Sequence, residues 1–251
     1  MKKLYQHHNK LRVKYPEEKL LIVFDIDGTI VDTREIVLYL LKKYDENNKT
    51  SYFKLLTIDA IDFHETEHSK LKSLLLMCNV PVYEMELIVK WYKSQFWESV
   101  TMIESNLPFP GVFEIINWVR NQPNTFVGLN TGRYDIIRRA TLYSLNNIAK
   151  KYSKDLQFSN ELLYMNLNIP GENVPESKVR GLNYFEELGY RVISMLDNEP
   201  SNLEAIQRDF CNNDDILLLH ADTIFISKFE VNSSSDMIIS GREYNLSDLI
   251  V

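Results

Sequence analysis

Leu20-Leu21-Ile22-Val23-Phe24-Asp25-Ile26-Asp27-Gly28-Thr29 is the stretch from which the rest of the chain is read. Five apolar residues run without alternation into a carboxylate, which suits a strand buried on both faces of a parallel sheet. Asp27-Gly28-Thr29 then signals a turn. Asp25 and Asp27, two residues apart, point the same way if extended geometry persists. The carboxyl end of a parallel strand is where open α/β sheets bind ligands. One carboxylate there can attack phosphorus, and its neighbour can protonate the leaving oxygen and then deprotonate water. Two like charges so close repel, and a divalent cation offsets the repulsion. Gly28 permits the sharp turn and leaves room for a ligand. An ordinary Asp-Gly turn accounts for Gly28 but leaves Asp25, inside an apolar run, without a reason.

Working outward, residues 1–19 are polar and mixed in charge, interrupted by Pro16, and read as a tail or short leading helix that includes His7 and His8. Residues 34–106 lack glycine altogether and hold one proline, Pro81; their aromatic and Leu-rich runs, Ser69–Cys78 and Tyr83–Val100, predict helices. After Gly111 the pattern alternates. Val112, Ile115, Ile116 and Val119 mark an amphipathic helix, and Thr125–Leu129 a short strand. A helix follows over 134–152, and 157–164 is strand-like. Then come a helix 176–188, a strand 190–196, a helix 201–210 and a strand 215–219, with 223–227 and 237–239 as further strand candidates. Alternation of this kind predicts an α/β fold with a parallel sheet. The organisation expected is a core of 20–33 and 107–251, interrupted by a helical domain at 34–106.

Composition bounds the function. The chain has 251 residues, 45% hydrophobic and 25% charged, as in ordinary globular proteins. Its 28 basic and 35 acidic residues give a net charge of −7, which argues against a nucleic-acid binder. Two cysteines, Cys78 and Cys211, cannot build a disulfide framework. No run approaches the roughly 20 apolar residues of a membrane span, and the start lacks the apolar core of a secretory signal. The expectation is a cytoplasmic protein without a membrane partner.

Three later segments carry chemistry. Asn130-Thr131-Gly132-Arg133 closes a predicted strand with a hydroxyl, backbone N–H groups and a guanidinium, all suited to phosphate. Lys178 lies near the start of a helix, with Arg180 close by as a rival. Met195-Leu196-Asp197-Asn198-Glu199-Pro200 ends another strand in acid.

Taken together, these four segments resemble the haloacid dehalogenase (HAD) superfamily. The resemblance covers roughly 20–33 and 109–206. It implies a HAD-like Rossmannoid core with a small α-helical cap inserted after the first motif. It also implies a Mg²⁺-dependent hydrolase that cleaves a small phosphorylated substrate through an aspartyl-phosphate. Asp25 matches the nucleophile and Asp27 the acid/base, whose backbone carbonyl also meets the metal. Thr131, with Gly132, Arg133 and Gly28, matches the phosphate cradle. Lys178 matches the charge-neutralising lysine, and Asp197 a metal carboxylate beside those of the first motif. The second carboxylate that the resemblance calls for has no acidic counterpart: Asn198, Ser201 and Asn202 stand at its positions, with Glu199 the nearest acid.

Two other readings compete. The altered metal segment suits a HAD-like domain that binds a ligand without turning it over. His64-Glu65-Thr66-Glu67-His68 fits the H-E-x-x-H pattern of a zinc peptidase. There, however, Glu67 and the polar flanks also read as a solvated helix start.

Overall fold

The computed structural model describes residues 1–63, 68–211, 213–221, 223 and 238–241, and the chain forms two compact units, 1–31 with 108–251, and 32–107. In chain order, α1 (Lys2–Lys14) and β1 (Leu20–Phe24) open the first unit. The second unit holds α2 (Thr33–Asn48), α3 (His68–Met77), α4 (Val82–Phe96) and α5 (Ser99–Ser105). The chain then returns to the first unit with α6 (Val112–Arg120), β2 (Thr125–Tyr134), α7 (Arg138–Tyr152), β3 (Leu163–Asn166), α8 (Val174–Glu187), β4 (Arg191–Asp197), α9 (Pro200–Asp209), β5 (Leu217–Ala221) and β6 (Ile238–Gly241).

The sheet of the first unit has the order β3-β2-β1-β4-β5-β6, and every pairing is parallel. β1 is the inner strand from which the order runs both ways. All five of its residues are buried because both faces are covered. Leu20, Ile22 and Phe24 pack with Val112, Ile115, Ile116 and Val119 of α6, Leu145 of α7, and Leu4 and Leu11 of α1. Leu21 and Val23 pack on the other side with Val179, Leu182 and Phe185 of α8 and Leu203 and Ile206 of α9. The period of two along the strand thus sorts β1 into two cores. The strand order reverses between β1 and β4. A crevice opens at such a reversal, at the carboxyl ends of the strands, and Asp25 and Asp197 stand at those two ends.

Residues 1–19 do not form a tail. Leu4, His8 and Leu11, at helical spacing, are buried, so α1 is part of the core. The His8 Nε2–H donates to Thr125 Oγ1 at 3.0 Å, and the Thr125 hydroxyl donates to the Pro123 carbonyl. His7 Nε2–H meets the carbonyls of Ile193 and Asp215 at 3.0 and 2.9 Å. The Arg12 guanidinium reaches the carbonyls of Tyr15, Pro16, Glu18 and Asn124, gathering the approach to β1.

The second unit has a core of its own. Ile36, Val37, Leu40 and Leu41 of α2 meet Leu71, Leu74 and Leu75 of α3 and Ile88, Val89, Tyr92 and Phe96 of α4, with Trp91 and Trp97 packed at the edge. Its first helix is capped by Asp32, whose carboxylate accepts from the Arg34 N–H and pairs with the Arg34 guanidinium. Asp45 fastens the loop after α2 by accepting from Thr50 Oγ1 and the N–H groups of Tyr52 and Phe53. No helix among the described residues is long and apolar enough to cross a membrane. The strand candidate 223–227 lies, apart from Thr223, outside the described residues, as do residues 64–67 of the H-E-x-x-H pattern.

Candidate active site

The loop after β1 is a tight knot of backbone bonds. The Ile30 and Val31 N–H groups both donate to the Ile26 carbonyl at 2.8 Å, and the Gly28 N–H donates to the Val31 carbonyl at 2.9 Å. Gly28 has φ of +82°, a backbone region that side-chain-bearing residues rarely occupy. Thr223 Oγ1 donates to the Gly28 carbonyl at 2.8 Å and pins the knot from the far end of the chain. The Asp25 N–H donates to the Leu196 carbonyl at 2.8 Å, so the β1–β4 ladder fixes the first carboxylate's backbone.

Lys178 reaches that carboxylate from α8. A capping box starts the helix: the Asn173 side chain accepts from the Glu176 N–H, the Glu176 carboxylate accepts from the Asn173 N–H, and proline occupies the first turn. The helix therefore begins at Val174, two residues before the sequence pattern suggested. Lys178 is 1% exposed. Its ammonium donates to Asp25 Oδ1 at 2.5 Å and to the Asn130 carbonyl at 2.6 Å, and forms an ion pair with Asp197 Oδ2 at 2.9 Å. Arg180, the rival, has a half-exposed side chain paired with Glu172.

Asp197 ends β4 and is fully buried. Its Oδ1 accepts from the Glu199 N–H at 2.9 Å, and both oxygens lie within 3.1 Å of Asn202 Nδ2. At the adjoining strand end, His220 Nε2 meets the Asn198 carbonyl at 3.1 Å. Asn202 thus holds Asp197 directly, where a second acid had been sought.

β2 departs from expectation. It does not end at Leu129 but continues to Tyr134, with its register against β3 broken between Thr131 and Tyr134. The irregular stretch brings Arg133 under Asp27. Arg133 Nε donates to Asp27 Oδ2 and Nη2 to Asp27 Oδ1, both at 2.6 Å, while Nη1 reaches Thr141 Oγ1 at 3.3 Å. The Thr131 hydroxyl accepts from the Arg133 N–H at 3.2 Å. Beside it, a Cβ on Gly132 would come within 3.2 Å of Val174.

The charges divide into a triad, Lys178 between Asp25 and Asp197, and a pair, Arg133 with Asp27. Asp25, Asp27 and Asp197 face Lys178 and Arg133, leaving one negative charge in excess. Burial pushes Asp25 up to about 7; Lys178 opposes this, and the charges of Asp197 and Asp27 add to it. Burial acts to lower Lys178, but the charges of Asp197 and Asp25 outweigh it and the ammonium is raised above its ordinary value. Such mutual perturbation makes this cluster a candidate functional site.

Among the described residues no three His, Cys, Asp or Glu side chains group to hold a metal. The reason is visible: the Asp27 carboxylate turns to Arg133, and the ammonium of Lys178 bridges Asp25 and Asp197. The donors present are nevertheless all oxygens with surplus negative charge, the chemistry a hard divalent cation takes. Asn130, His220 and Thr223 were not assigned roles from sequence, and Asn202 was named there only as a non-acidic occupant of the second carboxylate's position.

No family model matches the sequence, and no curated protein matches it. Solved structures do match the fold. A HAD-superfamily hydrolase of subfamily IA from Geobacter sulfurreducens superposes with a TM-score of 0.51 at 12% identity, covering 93% of this chain and 97% of that one. A candidate phosphatase from Clostridium difficile gives a TM-score of 0.54 at 14% identity, covering 93% and 99%.

Proposed function

We propose that this chain, which has the fold of the haloacid dehalogenase superfamily, is a Mg²⁺-dependent hydrolase of small phosphate monoesters. The observation that carries the reading is the buried ammonium of Lys178 between Asp25 and Asp197, beside an Asp27 gripped by Arg133. Burying five charges costs stability, and a catalytic role accounts for their being kept.

In this reading an Asp25 oxygen attacks phosphorus and the ester P–O bond breaks. Asp27 gives its proton to the departing oxygen, then takes one from the water that attacks the aspartyl-phosphate. Phosphate leaves and Asp25 is restored. Lys178 opposes the effect of burial on Asp25 and offsets charge on the phosphoryl oxygens. Thr131 and Gly132 belong to the phosphate cradle. Arg133, assigned to phosphate by sequence, acts instead on Asp27: its two-point grip aims the carboxylate and must loosen when Asp27 carries the proton. Bound Mg²⁺ would supply charge neutralisation to the phosphoryl group, held by Asp25, the Asp27 carbonyl and Asp197. The unit 32–107 is the cap that selects the leaving group.

The test is phosphate release across phosphorylated sugars, nucleotides, amino acids and cofactors, with and without Mg²⁺. Metal-dependent release from at least one class supports the reading; none from any class sinks it. A second reading, a ligand-binding protein without turnover, draws on the Arg133 grip and on Asn202 standing where an acid was sought. Binding of a panel compound without its hydrolysis supports that reading.

A further inference from the structure

One residue holds both ends of Lys178. The ammonium donates to the Asn130 backbone carbonyl at 2.6 Å, and the Asn130 side-chain Nδ2 donates back to the Lys178 backbone carbonyl at 2.7 Å. These reciprocal bonds join β2 to α8 at the level of Asp25. Asn130 is fully buried. Its side chain fits only because position 181, one helical turn beyond Lys178, is glycine: a Cβ there would lie 2.5–2.6 Å from the Asn130 Nδ2, Cγ and Oδ1 atoms.

The arrangement is expensive to keep. The Asn130 Oδ1 atom is buried without a hydrogen-bond partner. An apolar side chain packed against an ordinary helix surface would avoid that orphan. Glycine inside α8 weakens the helix as well. Two locally unfavourable residues in contact, Asn130 and Gly181, are explained together by what they hold. A lysine stem has four rotatable bonds and its ammonium is a mobile point charge. Fixing the helix backbone at Lys178, as well as the tip of the side chain, removes that freedom.

We infer that Asn130 is a positioning residue, seated in the Gly181 notch, that sets the Lys178 ammonium against Asp25. The inference rests on the phosphoryl-transfer reading only for its kinetic arm. Asn130 touches neither Asp25 nor Asp197 in any described bond and acts through Lys178.

Two variants test it, Asn130→Ala and Gly181→Ala, together with their double. In ¹⁵N-lysine-labelled wild-type protein the buried Lys178 ammonium should give a protected Nζ resonance, assigned by its loss in Lys178→Arg. That signal should shift or broaden in all three variants. With p-nitrophenyl phosphate and Mg²⁺, kcat should fall by about 10- to 100-fold with KM little changed, as expected of a misplaced catalytic group. Gly181→Ala should also lower Tm through the clash, and adding Asn130→Ala should restore Tm without restoring kcat or the resonance. That split separates positioning from packing. An unchanged Nζ resonance in Asn130→Ala, with kcat within twofold of wild type, overturns the inference. If the wild-type chain hydrolyses nothing, the phosphatase reading fails, and the resonance alone still decides the latch.

Discussion

Arg133 grips Asp27 by two parallel hydrogen bonds of 2.6 Å, one to each carboxylate oxygen, with its side chain fully buried. The fork geometry of a guanidinium matches a carboxylate in a way an ammonium does not. Arg133→Met strands the Asp27 charge, and breaking a buried pair on one side typically costs about 3–5 kcal/mol. The urea midpoint should fall accordingly. Arg133→Lys keeps the charge but not the fork, so it should recover most of the stability while kcat stays depressed. If Arg133→Met is as stable as wild type, the grip is not structural.

Asp25→Asn should abolish turnover in a folded protein. The amide retains an oxygen for the Lys178 ammonium but cannot form the acyl-phosphate. Loss of a nucleophile costs about 10⁴-fold or more in kcat. Near wild-type phosphate release by folded Asp25→Asn would exclude the covalent role.

Metal dependence should rank three variants. Asp197→Asn removes the proposed ligand and should raise the Mg²⁺ requirement most. Asn202→Ala removes the amide that holds both Asp197 oxygens, and loss of an outer partner typically costs about 10- to 100-fold in affinity or activity. Glu199→Gln should matter least, because Glu199 meets Asp197 through its backbone N–H. A Mg²⁺ titration in which Glu199→Gln equals Asp197→Asn would make the Glu199 carboxylate a ligand.

His8 should make stability depend on pH. Burial lowers its pKa below the ordinary 6.5, with Arg12 and His7 acting the same way and the Asn9 hydrogen bond opposing. Below 6.5 the unfolded chain therefore binds a proton that the folded chain resists, and stability falls as pH drops from there toward the folded value. Between about pH 8 and about pH 5.5 the urea midpoint of wild type should drop further than that of His8→Gln. Equal drops would mean that His8 does not contribute.

The sequence by itself determined the parallel core and the helical insertion, and it singled out Asp25, Asp27, Lys178 and Asp197, which the fold brings together. Each of these rests on local rules. The apolar run Leu20–Phe24, closed by a turn signal, suits a doubly buried strand. A glycine-poor, Leu-rich block is helical, and a charge breaking an apolar strand end needs a partner. Residues 1–19 read as a tail or a short leading helix, and the spacing of Leu4, His8 and Leu11, also in the sequence, decides for the helix. Pairings were a different matter. That Arg133 turns to Asp27, that β2 runs on to Tyr134 to bring it there, and that Asn130 grips Lys178 across 48 residues depend on the strand order and on the depth of one helix notch. No local pattern encodes them, because a hydrogen bond between distant residues is set by the packing that brings their atoms together. Only the tertiary structure decided them.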